Sequence, residues 1–121
     1  MDEKDETIDY YYSLKPTDFP ILERLDIHQD VPYQGRPVEL SLEIRMRPPS
    51  DTDRRRLLLS FQGVRDLRLI QPSWSEFHMS LIEINSIRSQ QWENLNYQVK
   101  ETEEASLSFL CKHFDTTIED V

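Results

Sequence analysis

From Val38 to Arg47 the chain alternates without a break. Val38, Leu40, Leu42, Ile44 and Met46 fall on one side; Glu39, Ser41, Glu43, Arg45 and Arg47 fall on the other. A period of two puts these sets on opposite faces of a strand, one buried and one wet, as in an antiparallel sheet packed on one side. The same period predicts further strands along the chain. Ile8, Tyr10, Tyr12 and Leu14 alternate with Thr7, Asp9, Tyr11 and Ser13, and Pro16 and Pro20 close that run. Leu57, Leu59 and Phe61 make a strand that stops at a turn or bulge at Gly63. Leu67 and Leu69 make the next, ended by Pro72. Phe77, Met79 and Leu81 open another, whose apolar phase slips by one residue to Ile82 and Ile84; a β-bulge, or a strand buried on both faces, produces such a slip. Leu95, Tyr97 and Val99, then Leu107, Phe109 and Cys111, complete the set, joined through Glu101-Thr102-Glu103-Glu104.

Between these runs the pattern is irregular. Residues 15–37 hold Pro16, Pro20, Pro32 and Pro37, and only Ile21, Leu22 and Leu25 show a spacing, that of one helical turn, in what otherwise reads as ordered loop. Ser86 to Glu93 reads as a loop or short turn carrying Trp92. No long amphipathic helix is present. The pattern predicts an all-β, mainly antiparallel chain of about seven strands in a sandwich or partly open barrel, with at most short helical turns. Its 121 residues are enough for one domain with its own core. That domain is expected over residues 7–121, behind a disordered acidic tail at residues 1–6 that holds Asp2, Glu3, Asp5 and Glu6.

Charge sharpens the picture. The net charge is −9, the pI about 4.7 and the mean hydropathy −0.66. Between Arg45 and Arg68 seven arginines face three acids, a balance of +4, so the remainder of the chain carries −13. Nucleic-acid backbones require positive charge to displace condensed counterions, so the overall sign argues against a nucleic-acid partner. No run approaches the apolar length of a membrane span, and the N-terminus lacks the order of a signal peptide. With a single cysteine the chain suits the reducing cytoplasm.

Catalytic and cofactor signatures are sparse. Cys111 and His113 are two residues apart, which on one strand would put them on one face, but metal sites take more ligands, and His28 and His78 lie in other elements. As a nucleophile Cys111 would need a helix N-terminus or an adjacent cation, and in phase with Leu107 and Phe109 it reads instead as a small buried hydrophobe. With only Gly35 and Gly63, no phosphate-cradling loop can be built by the usual route. The sequence thus predicts no enzyme, no cofactor and no metal. Arg54-Arg55-Arg56 could grip phosphate or carboxylate groups, or stand as a solvated strand entrance compensated by Asp51 and Asp53. Trp74 and Trp92 read as lids over the core or as interface anchors.

Phe61-x-Gly63-Val64-Arg65-x-Leu67-x-Leu69, Ile82-x-Ile84, Gln91-Trp92-Glu93, Tyr97-x-Val99 and Phe109-x-Cys111-x-x-Phe114 follow one another over residues 57–115. In that order they resemble small acidic bacterial proteins similar to the immunity proteins of polymorphic-toxin systems. The resemblance implies a cytoplasmic protein that neutralises a toxin by binding it. A toxin with a cationic cleft would meet the acidic wet surface, and the expected contact residues are Trp74, Glu76, Trp92, Glu93, Glu101, Glu103 and Glu104. The other reading is a β-barrel enclosing a small ligand, with Tyr10, Tyr12, Phe77 and Trp92 lining its cavity.

Overall fold

The computed structural model describes residues 5–29, 38–70, 79, 81–88, 95–103 and 106–121. One short helix, α1 (Glu6–Ser13), and a 3₁₀ turn (Pro16–Asp18) precede seven strands: β1 (Ile21–Gln29), β2 (Leu40–Arg47), β3 (Arg55–Leu69), β4 (Ile82–Ser86), β5 (Tyr97–Glu101), β6 (Leu107–Cys111) and β7 (His113–Asp120). Every pairing is antiparallel. The order across the sheet is β1-β2-β3-β6-β5-β4, with β7 also beside β3. The expectation of a mainly antiparallel all-β chain with seven strands therefore holds, and the strands form one open sheet.

The sheet bends at β3. Its first half pairs with β2 and β7 and its last residues pair with β6, so the two expected strands at 57–61 and 67–69 are one. Gly63 and Asp66 take left-handed backbone, at φ +66° and +56°, and the pairing with β6 slips between Arg65 and Arg68. These kinks turn the strand without ending it. Both halves then contribute to one core: Leu42, Ile44, Leu59 and Phe61 from one side meet Val99, Leu107 and Phe109 from the other. Phe114 sits at the junction, with ring centroids 4.9 Å from Tyr97, 6.0 Å from Phe61 and 6.4 Å from Tyr11.

Four local expectations are corrected. Residues 7–14 form a helix, because Asp5 caps it: its Oδ1 accepts the N–H groups of Thr7 and Ile8 at 3.0 and 3.1 Å. Helical spacing turns Tyr11 fully into the core, where the two-residue period had placed it outward. Asp5 and Glu6 thus belong to the folded unit, and the acidic tail does not reach residue 6. The helix ends where Lys15 turns left-handed ahead of Pro16. Ile21, Leu22 and Leu25 lie on β1. The register slips between Leu22 and Arg24, so Glu23 is an extra residue, and a bulge gives the i, i+3 spacing that mimics a helical turn. Strand β7, whose Phe114 and Thr116 point inward, was not expected. In the fifth expected strand, pairing begins only at Ile82; Phe77 lies outside the described residues, and Met79 is buried.

Strand β4 closes one edge of the sheet, and α1 covers it. Tyr11 Oη donates to the Ile82 carbonyl at 2.6 Å, and Tyr12 Oη accepts from the Ile84 N–H at 3.1 Å. Edge backbone groups that would otherwise template further pairing are thereby occupied.

Candidate functional site

Among the described residues, the outward face of the β1-β2-β3-β7 half carries an ordered array of charge. Because Leu42, Ile44, Leu57 and Leu59 point inward, Glu43, Arg45, Leu58 and Ser60 point out. The register aligns these into rows across the strands. One row reads Asp26, Glu43, Ser60, Asp115; the next reads Arg24, Arg45, Leu58, Thr117. Together they line a groove of about 390 Å³. Its floor is β3, with Leu58 and Ser60 in line along the strand; β2 and β7 supply its walls.

Ion pairing divides the groove. Arg24 Nε lies 2.8 Å from Asp26 Oδ2. The bulge residue Glu23 is held by Arg56 Nε at 2.9 Å, with Arg45 Nη1 and Arg47 Nε each at 3.9 Å. These arginines are therefore drawn to one end of the face. Glu43 and Asp115, both exposed, have no ion-pair partner among the described residues. They flank Ser60 from opposite sides, about 9.6 Å apart across two strand spacings. The face is thus polarised along β3, basic and internally satisfied at the Leu58 end, acidic and unsatisfied at the Ser60 end.

Of the contact residues expected from sequence, Trp74, Glu76, Trp92, Glu93 and Glu104 lie outside the described residues. Glu103 is exposed. Glu101, expected on a wet surface, is only 3% exposed. Its Oε1 accepts the Glu103 N–H at 2.9 Å and its Oε2 accepts the Ser106 N–H at 3.3 Å, so this carboxylate organises the turn between β5 and β6.

The other candidates resolve in similar terms. Arg55 forks onto Asp53, at 3.1 Å from Nε and 2.9 Å from Nη2, and its guanidinium lies 5.2 Å from the Phe19 ring centroid. Beside it the Asp53 carboxyl is held down at about 2, mainly by the Arg55 hydrogen bonds. Arg56 belongs to the Glu23 cluster, and Arg54 is exposed. Cys111 and His113 do not share a face. The break at Lys112 between β6 and β7 shifts the phase by one residue, which leaves Cys111 fully buried and His113 exposed. Burial pushes the Cys111 thiol up to about 12, which keeps it protonated near neutrality. Tyr10 and Tyr12 are 50% and 37% exposed on the helix, which places them outside any interior cavity. Among the described residues, no three His, Cys, Asp or Glu side chains group to hold a metal ion, and no helix is long and apolar enough to cross a membrane.

The sequence made Glu43 and Arg45 legible as outward residues, since they lie on the wet side of its clearest alternation. It does not reveal their lateral neighbours: Asp26 lies past the bulge, and Asp115 lies on β7, whose alternation is out of phase with β6.

Residues 3–117 match the model of a family described as Immunity protein PIM8. Neither a curated protein nor a solved structure matches the chain.

Proposed function

The chain belongs to the PIM8 immunity-protein family, an immunity-type protein-binding role, and from that premise we propose that it neutralises a cationic protein toxin in the cytoplasm by binding it, with no reaction of its own. The observation that carries the cationic partner is the pair of exposed carboxylates Glu43 and Asp115, without an ion-pair partner among the described residues, on an ordered sheet face in a chain of net charge −9. Carboxylates without an internal counter-ion contribute little to the fold and are free to be matched from outside. A toxin that handles an anionic substrate would present the complementary charge. Trp74 and Trp92 remain in the proposal as aromatic anchors, with Glu76, Glu93, Glu103 and Glu104 as further contact residues, because large aromatics hold interfaces once formed.

The test is to recover the partner by pull-down from the source cells and to follow association across salt. Steering by charge predicts an on-rate that falls steeply as the Debye length shrinks from about 10 Å at 0.1 M to about 3 Å at 1 M. An acidic partner, or an on-rate indifferent to salt, would overturn the cationic reading.

A further inference from the structure

We propose that the groove along β3 is a seat for one arginine side chain of the partner, its aliphatic stem lying on Leu58 and its guanidinium over Ser60 between Glu43 and Asp115. This rests on the protein-binding reading above and specifies its contact chemistry. Three features of the face argue for a single long basic side chain. The first is spacing: Leu58 and Ser60 are two residues apart on one strand, so an apolar patch is followed about 6.7 Å further on by a polar one. Arginine and lysine are built in that order, with an apolar stem ending in a charge.

The second is the placement of opposing charge. The register puts Glu43 and Asp115 on either side of Ser60, on the two neighbouring strands. A head centred over Ser60 lies about 4.8 Å from each flanking strand, within reach of both carboxylates. A guanidinium, planar and carrying five donors in a fixed fork, can serve carboxylates on opposite edges at once, whereas an ammonium is a compact point charge. Ser60 Oγ also faces this spot; its described bond is the donation from Gln62 Nε2 at 3.4 Å.

The third is direction. Arg24 and Arg45 stand in the Leu58 row with their charges matched by Asp26 and Glu23, so a cationic head finds carboxylates without a counter-ion only at the Ser60 end. Arg45 leans to Glu23 and Arg24 to Asp26, which leaves the floor at Leu58 open to a stem. The groove therefore accepts the side chain in one orientation only.

The experiment uses three capped tripeptides, glycine–X–glycine with X arginine, lysine or citrulline, titrated into isotopically labelled protein and followed through backbone amide resonances. The arginine peptide should shift the Leu58, Ser60 and Thr117 amides in a saturable way. The citrulline peptide, of similar shape without charge, should leave them unmoved, and lysine should bind several-fold more weakly than arginine. In Glu43→Gln/Asp115→Asn, whose fold is checked by an unchanged spectrum elsewhere, arginine binding should fall at least about tenfold. Equal shifts from citrulline, shifts confined to other parts of the sheet, or undiminished binding by the double variant would each overturn the seat. The toxin recovered by pull-down separates the two levels of the claim. If it binds the double variant as tightly as the native protein, the arginine seat is wrong and the immunity reading stands. If the peptide seats as described but no toxin is neutralised, the seat stands and the reading it rests on fails.

Discussion

Replacing Gly63 with alanine should be among the costliest single-methyl additions in this protein. Gly63 has φ +66°, a left-handed backbone that disfavours a Cβ by about 1–2 kcal/mol. A Cβ there would lie 2.7 Å from both Cγ and Cδ of Lys112 and 3.0 Å from its Cβ. Those atoms have little freedom to retreat. The Lys112 N–H donates to the Gln62 carbonyl at 3.0 Å, and its ammonium is paired with Glu39. Overpacking of this kind adds about 1–3 kcal/mol. The total expected for Gly63→Ala is therefore about 2–5 kcal/mol, read from urea unfolding followed by tryptophan fluorescence. The two contributions can be separated, because Lys112→Ala removes the Cγ and Cδ that cause the clash and leaves the backbone penalty in place. In that background Gly63→Ala should cost only about 1–2 kcal/mol. If Gly63→Ala costs less than about 0.5 kcal/mol, or costs the same in both backgrounds, the account of the β3 bend as a left-handed crossing under Lys112 is wrong.

Three further outcomes are expected. Leu42→Ala, at a fully buried position, should destabilise by about 2–5 kcal/mol, and Glu43→Ala on the opposite face by no more than about 0.5, so the reverse ranking in unfolding experiments would exchange the faces of β2. Tyr11→Phe leaves the Ile82 carbonyl unsatisfied in a buried setting and should cost about 1–3 kcal/mol, whereas Tyr12→Phe, where water can substitute, should cost less than about 1; equal effects would argue against the edge cap. On the alkaline side, burial raises Cys111 from 9.0 to about 12, and burial with the nearby Tyr12 raises Tyr11 above its ordinary value. The unfolded chain then releases protons that the folded chain keeps, so stability is whole below about pH 9 and falls as pH rises toward 12, at about 1.4 kcal/mol per pH unit for each such group. Unfolding midpoints measured from pH 8 to 11 should fall accordingly, with a shallower slope in Cys111→Ala, and a flat profile would contradict the burial of these groups.

What the sequence made legible was the strands whose alternation stays in phase. Strand β2 alternates cleanly because it is regular and packed on one side, and β5 and β6 follow the same logic. The errors fall where one residue breaks the phase. In α1, β-favouring tyrosines at alternate positions outweighed Asp5, whose cap is what decides for a helix; the readable signal was an N-cap residue followed at once by Glu6 in the first turn. In β1 the bulge at Glu23 converts a two-residue period into a three-residue one, which no window of hydrophobicity distinguishes from a helical turn. Strand β7 was readable in Phe114, Thr116 and Ile118, but the break at Lys112 shifts its phase against β6 and hides the continuation.

The groove was less legible than the fold because it is a product of register. Glu43 is outward on any reading of β2, yet its importance depends on which residues stand beside it, and those come from residues 26, 60 and 115. Once the strands are aligned, ion pairing separates the charges matched within the fold from those without a counter-ion among the described residues. Glu23 gathers Arg45, Arg47 and Arg56 at the bulge, where an extra residue would otherwise leave the edge strand loosely tied. Arg24 and Asp26 neutralise each other along the same edge strand. These pairs make Arg45, Arg47 and Arg56 of the arginine-rich stretch counter-ions within the fold. Glu43 and Asp115 have no such duty. They stand opposite each other at the acidic end of a polarised face, on a sheet whose other edge is already closed by Tyr11 and Tyr12. On the proposed reading the two features do different work: the tyrosines of α1 occupy backbone groups of β4, and the carboxylates left unmatched on the other half of the sheet are what a cationic partner would meet.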